Sequence, residues 1–223
     1  MVERLGAALK TCDGLKAISY SKNNLGIDDF VTTDSEFDDD SFSQESSHFS
    51  RNRAMCPLDQ KCMTDSITEM TKTKHFMERL CLSHCHIHDR GMKILAAELD
   101  STRIRYLNIG WCRLTAASVP DLCRFIKYNR SLEKCLMQHN EHGDPKSIKQ
   151  IAQAITDHPA LKYLDISANK VGSESFCHLL QLQAWDKIKL ENLQCRKNNI
   201  NGEEIRGIFK KLLLNSNLRV LNL

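Results

Sequence analysis

The feature that most constrains this chain is a spacing of apolar residues, apolar-x-x-apolar-x-apolar-x-x-Asn/Cys-x-apolar, that recurs along its length. It is read at Leu15, Ile18, Tyr20, Asn23 and Leu25, at Met77, Leu80, Leu82, Cys85 and Ile87, and at Ile104, Leu107, Ile109, Cys112 and Leu114. Three more copies follow at Leu132, Cys135, Met137, Asn140 and His142; at Leu161, Leu164, Ile166, Asn169 and Val171; and at Leu190, Leu193, Cys195, Asn198 and Ile200. Another opens at Leu218, Leu221 and Leu223. From Met77 onward the copies begin 27, 28, 29, 29 and 28 residues apart. About fifteen residues into each copy the period changes to i, i+3, i+4, i+7, the stripe of an amphipathic helix. It runs through Met92, Leu95, Ala96 and Leu99; Val119, Leu122, Cys123 and Ile126; Ile148, Ile151, Ala152 and Ile155; Phe176, Leu179 and Leu180; and Ile205, Ile208, Phe209 and Leu212. A unit of one short strand and one helix cannot bury its apolar sides alone, so the copies are expected to stack into one continuous core.

These residues resemble the template of the ribonuclease-inhibitor-like leucine-rich repeat superfamily, over everything except the insert described below. The resemblance implies an α/β fold, a right-handed horseshoe solenoid with parallel strands on the concave face and helices on the convex face. Members of that superfamily include ribonuclease inhibitor, the activator of the Ran GTPase, tropomodulin, innate-immune receptors and cytoskeletal or centrosomal scaffolds. Such a range means that the fold does not name the function.

Sixty-two residues separate Leu15 from Met77, so one repeat has absorbed extra chain. Three regions are expected: an N-terminal repeat portion over 1–30, an acidic, Ser-rich disordered insert over 31–62, and five repeats plus the strand of a further one over 63–223. Residues 26–50 hold eight acidic side chains and no Lys or Arg, which leaves +11 on the rest of a chain whose net charge is +3. A segment so poor in apolar residues has little to offset its ordering entropy. Neither end carries the polar cap of a finished solenoid, and the chain reads as part of a longer protein. The N-terminus has no unbroken apolar run of the secretory kind, no stretch approaches the roughly 20 apolar residues of a membrane span, and a cytoplasmic protein with reduced cysteines is expected, with the nucleus or a cytoskeletal or centrosomal association as alternatives.

Cys81, His84, Cys85, His86 and His88 carry the side chains of a zinc site. Their register argues against one: Cys85 takes the inward Asn/Cys position, Cys81 faces the concave side and Ile87 is core, so the donors splay apart. Cys112, Cys123, Cys135, Cys177 and Cys195 fall on core or helix positions, where cysteine acts as a small hydrophobe. No Cys–His or Ser–His–Asp spacing and no phosphate-cradling Gly loop is evident, and neither an enzyme nor a cofactor is expected.

Function is therefore sought on the concave strands, at template positions 3, 5, 7 and 8. Position 3 holds Arg79, Tyr106, Lys134, Tyr163 and Asn192; position 5 holds Cys81, Asn108, Leu136, Asp165 and Gln194. Position 8 holds His84, Trp111, His139, Ala168 and Lys197, and Arg196 stands at position 7 of its copy. With adjacent strands roughly 4.8 Å apart, Tyr106, Trp111, Leu136 and Tyr163 would form one patch. Alternatively, Trp111 folds back over its loop and packs within the chain. The partner-binding set is Arg79, Tyr106, Asn108, Trp111, Lys134, Leu136, Tyr163, Asp165, Gln194 and Arg196, and the expected partner is a protein, with no membrane and no small-molecule substrate. The alternative is a small-GTPase regulator resembling the Ran activator, or a cytoskeletal or centrosomal scaffold component. Nucleic acid is disfavoured because the positive charges are scattered rather than striped, and a basic ribonuclease would be repelled by a basic scaffold.

Overall fold

A computed structural model describes residues 17–19, 77–99, 103–156, 158–180, 189–203, 206 and 217–223. The 31–62 insert, the boundary assigned to it and the helix expected over 205–212 lie outside the described residues or almost wholly so.

Each template copy opens with a strand of three residues: β1 (Ala17–Ser19), β2 (Arg79–Cys81), β3 (Tyr106–Asn108), β4 (Lys134–Leu136), β5 (Tyr163–Asp165), β6 (Asn192–Gln194) and β7 (Val220–Asn222). They form one seven-stranded parallel sheet in chain order. Its register equates template positions across repeats, with Leu80 opposite Leu107, Leu107 opposite Cys135, Cys135 opposite Leu164 and Leu164 opposite Leu193. These central residues point inward and are buried at 1% exposure or less.

Between strands run the helices α1 (His88–Glu98), α2 (Val119–Tyr128), α3 (Pro145–Thr156) and α4 (Ser173–Leu180), each packed on the next. Their starts are written locally. Thr115 Oγ1 accepts from Ala117 N and so caps the 3₁₀ turn Ala116–Ser118 that leads into α2. Asp144 Oδ1 accepts from Ser147 N at 3.0 Å just ahead of α3, where Pro145 fits the first turn. The stripes expected on α1 and α3 are buried as read. On α2 Cys123 is only half-buried, while Phe125, outside the expected stripe, is fully enclosed. Helices pack 8–10 Å apart whereas strands pair at about 4.8 Å, so a stack of strand–helix units bends with its strands on the inner side.

The turn after each strand is the strained part. His84, Trp111, His139, Ala168 and Lys197, all at position 8, have φ between 51° and 62°. For residues other than glycine this costs roughly 1–2 kcal/mol. It delivers the next residue, the Asn/Cys position, into the interior. There Asn140 Oδ1 accepts from the N–H groups of Cys112 (3.1 Å) and Leu114 (3.0 Å), and its Nδ2 donates to the carbonyls of Ile109 (2.9 Å) and Met137 (3.0 Å). Asn198 repeats the arrangement, accepting from Asn169 N and Val171 N and donating to the Ile166 and Cys195 carbonyls. These bonds satisfy backbone groups that would otherwise be buried without partners.

Candidate functional site

Position 3 makes a continuous row in which cations and aromatic rings alternate. The Arg79 guanidinium lies 4.5 Å from the centre of the Tyr106 ring. The Lys134 ammonium lies between two rings, 4.3 Å from that of Tyr163 and 5.7 Å from that of Tyr106. The strands position them directly, because Arg79, Tyr106, Lys134 and Tyr163 are successive partners in the ladder. Arg79 is exposed and the other three are half-buried.

Position 8 makes a second row. Trp111 stacks between His84, at 5.0 Å between ring centres, and His139, at 3.6 Å, both at 14°. The shared left-handed turn aims all three rings the same way. Trp111 thus packs within the chain and still leaves 42% of its surface open. Burial, aided by the Lys197 charge, holds His139 at about 4, so its ring is neutral near pH 7.

Position 5 corrects the expectation of an open middle row. Leu136 is buried at 1% exposure, Asn108 at 8% and Cys81 at 9%, so Leu136 does not join Tyr106, Trp111 and Tyr163 in an exposed patch. Leu136 stands between Asn108 and Asp165 on paired strands about 4.8 Å away on either side, so its side chain is flanked on both. In addition, the polar members turn back on their own strand ends: Asn108 Oδ1 accepts from Gly110 N at 3.0 Å and Asp165 Oδ1 from Ser167 N at 2.8 Å. Gln194 bridges Asn192 and Asn222. Arg196 is exposed, its N–H donating to Ser167 Oγ.

Position 2 carries a feature that the choice of positions 3, 5, 7 and 8 missed. Its residues are Glu78, Arg105, Glu133, Lys162, Glu191 and Arg219, strictly alternating in sign. Their backbones form the ladder, Arg105 N donating to Glu78 O, Glu133 N to Arg105 O, Lys162 N to Glu133 O and Glu191 N to Lys162 O. Arg105 pairs with Glu133 at 2.8 Å and Lys162 with Glu191 at 3.4 Å. The alternation is visible in the sequence once the copies are aligned. From Glu78 to Arg219 these charges sum to zero, which leaves the unbalanced charge to the rows beside them.

Elsewhere the interior brings together groups with a reactive look. Ser118 Oγ is 3.2 Å from His142 Nε2, and Asp89 accepts from the N–H and hydroxyl of nearby Thr115. Ser118 and His142 are both fully enclosed, and the Ser118 hydroxyl also bonds the Thr115 carbonyl at 2.8 Å. A substrate cannot reach them. Burial likewise pushes the Cys112 and Cys135 thiols up to about 12, so they stay protonated. The Cys85 thiol donates to the Ser83 carbonyl while His84 lies on Trp111, which separates two of the residues considered as zinc ligands. Among the described residues no group of three or more His, Cys, Asp or Glu could hold a metal ion, and no helix is long and apolar enough to cross a membrane.

The family model described as Leucine Rich repeat matches residues 73–96, which cover β2 and most of α1. A mouse protein, NACHT, LRR and PYD domains-containing protein 4C, is 26% identical over 106 residues, 47% of this chain. The chain spans about a tenth of the length of that relative. A leucine-rich repeat protein of Leptospira interrogans aligns in structure over 69% of this chain and 50% of its own, at 14% identity and a TM-score of 0.28. A family match on one repeat, the same template in the other copies and a parallel strand–helix stack in a single register place this chain in the leucine-rich repeat superfamily.

Proposed function

We propose that the chain is a non-catalytic scaffold that binds a protein partner through its concave strands. The observation that carries this reading is the Arg79–Tyr106–Lys134–Tyr163 row beside the Trp111 stack. Trp, Tyr and Arg are the residues that dominate binding energy at protein interfaces. The contacts also hold these side chains in place before a partner arrives, so less rotamer entropy is lost on binding.

A photo-reactive phenylalanine analogue placed at Tyr163, on the concave row, and separately at Tyr128, an exposed convex residue, tests the reading. A discrete cross-linked protein from a cell extract is expected at position 163 and not at position 128. The same products from both positions, or products from 128 alone, would overturn it. A regulator of a small GTPase would in addition accelerate GTP hydrolysis by that GTPase, which a pure scaffold leaves unchanged.

A further inference from the structure

We infer that the concave row selects an extended acidic segment of its partner, with carboxylates about three residues apart. This rests on the concave-face reading above and names the chemistry that the face prefers. The first ground is charge. Because the position 2 rim alternates in sign, its fields largely cancel, and what remains on the concave rows among the described residues is Arg79, Lys134, Arg196 and Lys197 against Asp165 alone. Arg79 and Lys134 meet tyrosine rings, and among the described residues neither forms an ion pair with a carboxylate. Each therefore has N–H donors to offer a carboxylate.

Spacing is the second ground. Arg79 and Lys134 stand two strands apart in the ladder. At about 4.8 Å per strand that is roughly 10 Å, the advance of three residues in an extended polyproline II chain, whose every third side chain returns to the same side. A polyproline II segment crossing the strands would therefore present every third side chain to a cation.

The tyrosine faces are the third ground, and they weigh against single-stranded nucleic acid, the other anionic polymer that basic and aromatic residues hold. Recognition of that kind stacks bases on open aromatic faces. Here Tyr106 has a cation on its ring from Arg79 and another from Lys134, Tyr163 has Lys134, and Trp111 is flanked on both faces by His84 and His139.

The test uses the full chain and a labelled peptide of four Pro-Pro-Glu units, whose prolines favour the polyproline II form, beside the same peptide with Gln for Glu. Fluorescence anisotropy is read at low and physiological salt. The Glu peptide should bind about ten-fold more tightly than the Gln peptide, and the advantage should shrink as salt rises. Arg79→Gln with Lys134→Gln should remove most of it. Lys93→Gln with Lys149→Gln, an equal charge change on exposed convex positions, should not. Arg79→Lys with Lys134→Arg should retain the preference, which separates charge from loss of fold. Equal binding of the two peptides, equal loss in the convex variant, or tighter binding of an oligothymidylate of similar length would overturn the inference. If the peptide preference fails while the position 163 cross-link persists, only the acidic selectivity falls; loss of both removes the concave-face reading as well.

Discussion

Asn140 and Cys112 occupy the same template position in adjacent repeats, and the Asn140 side-chain carbonyl accepts from the Cys112 N–H at 3.1 Å. One side chain thereby joins two turns, since its amide also donates to the Ile109 and Met137 carbonyls. Asn140→Leu fills a similar volume but strands several buried backbone groups, each worth about 1–3 kcal/mol when unpaired. The variant should lose at least about 3 kcal/mol in urea unfolding. A loss under about 1 kcal/mol would show that the turns hold without the amide.

Gly143 and Gly172 should respond oppositely to alanine. A Cβ at Gly143 would run into the Asn169 and Lys170 carbonyls, backbone that cannot step aside cheaply. At Gly172 a Cβ meets nothing within 4 Å. Gly143→Ala is expected to cost about 3 kcal/mol or more through overpacking, and Gly172→Ala to stay within about 1 kcal/mol of the parent. Matching melting temperatures for the two variants would contradict the close approach of these repeats.

Leu164 and Asp165 are neighbours on β5 with opposite exposure. Leu164 is fully enclosed, and its truncation to alanine should cost about 2–5 kcal/mol. Asp165→Ala removes the bond to Ser167 N and should cost about 1 kcal/mol. Denaturant midpoints that rank the two the other way would place the wrong face of the strand inward.

Acid should destabilise the fold through His142. Burial holds this ring at about 4, below its ordinary 6.5, although the Asp89 and Asp144 carboxylates oppose the shift. Between those two values the unfolded chain binds a proton that the folded chain refuses. Stability is therefore highest above pH 6.5 and falls as pH drops towards 4, by about 2 kcal/mol at pH 5 from this group. His86 and His139, also held near 4 but better exposed, add smaller losses of the same sign. His142→Leu, which restores the apolar residue of the template, should flatten the profile. Thermal unfolding at about pH 7.5 and about pH 5 measures it, and an unchanged difference between the two would assign the acid lability elsewhere.

Sequence alone determined which residues share a row. A template of fixed length, repeated about every 28 residues, allows one in-register stacking, so the alignment of Arg79, Tyr106, Lys134, Tyr163 and Asn192 is legible in the order of the amino acids, and the ladder bears it out. The buried stripes of α1 and α3 are legible for the same reason. Tertiary structure decided what each row exposes. Leu136 is covered, Asn108 and Asp165 bond their own strand ends, Trp111 sits between two histidines, and His142 is enclosed beside Ser118. Several of these outcomes depend on side chains from the adjacent repeat. A period specifies position along one chain, whereas exposure and partnership are set by how neighbouring turns of the solenoid fill the space between them.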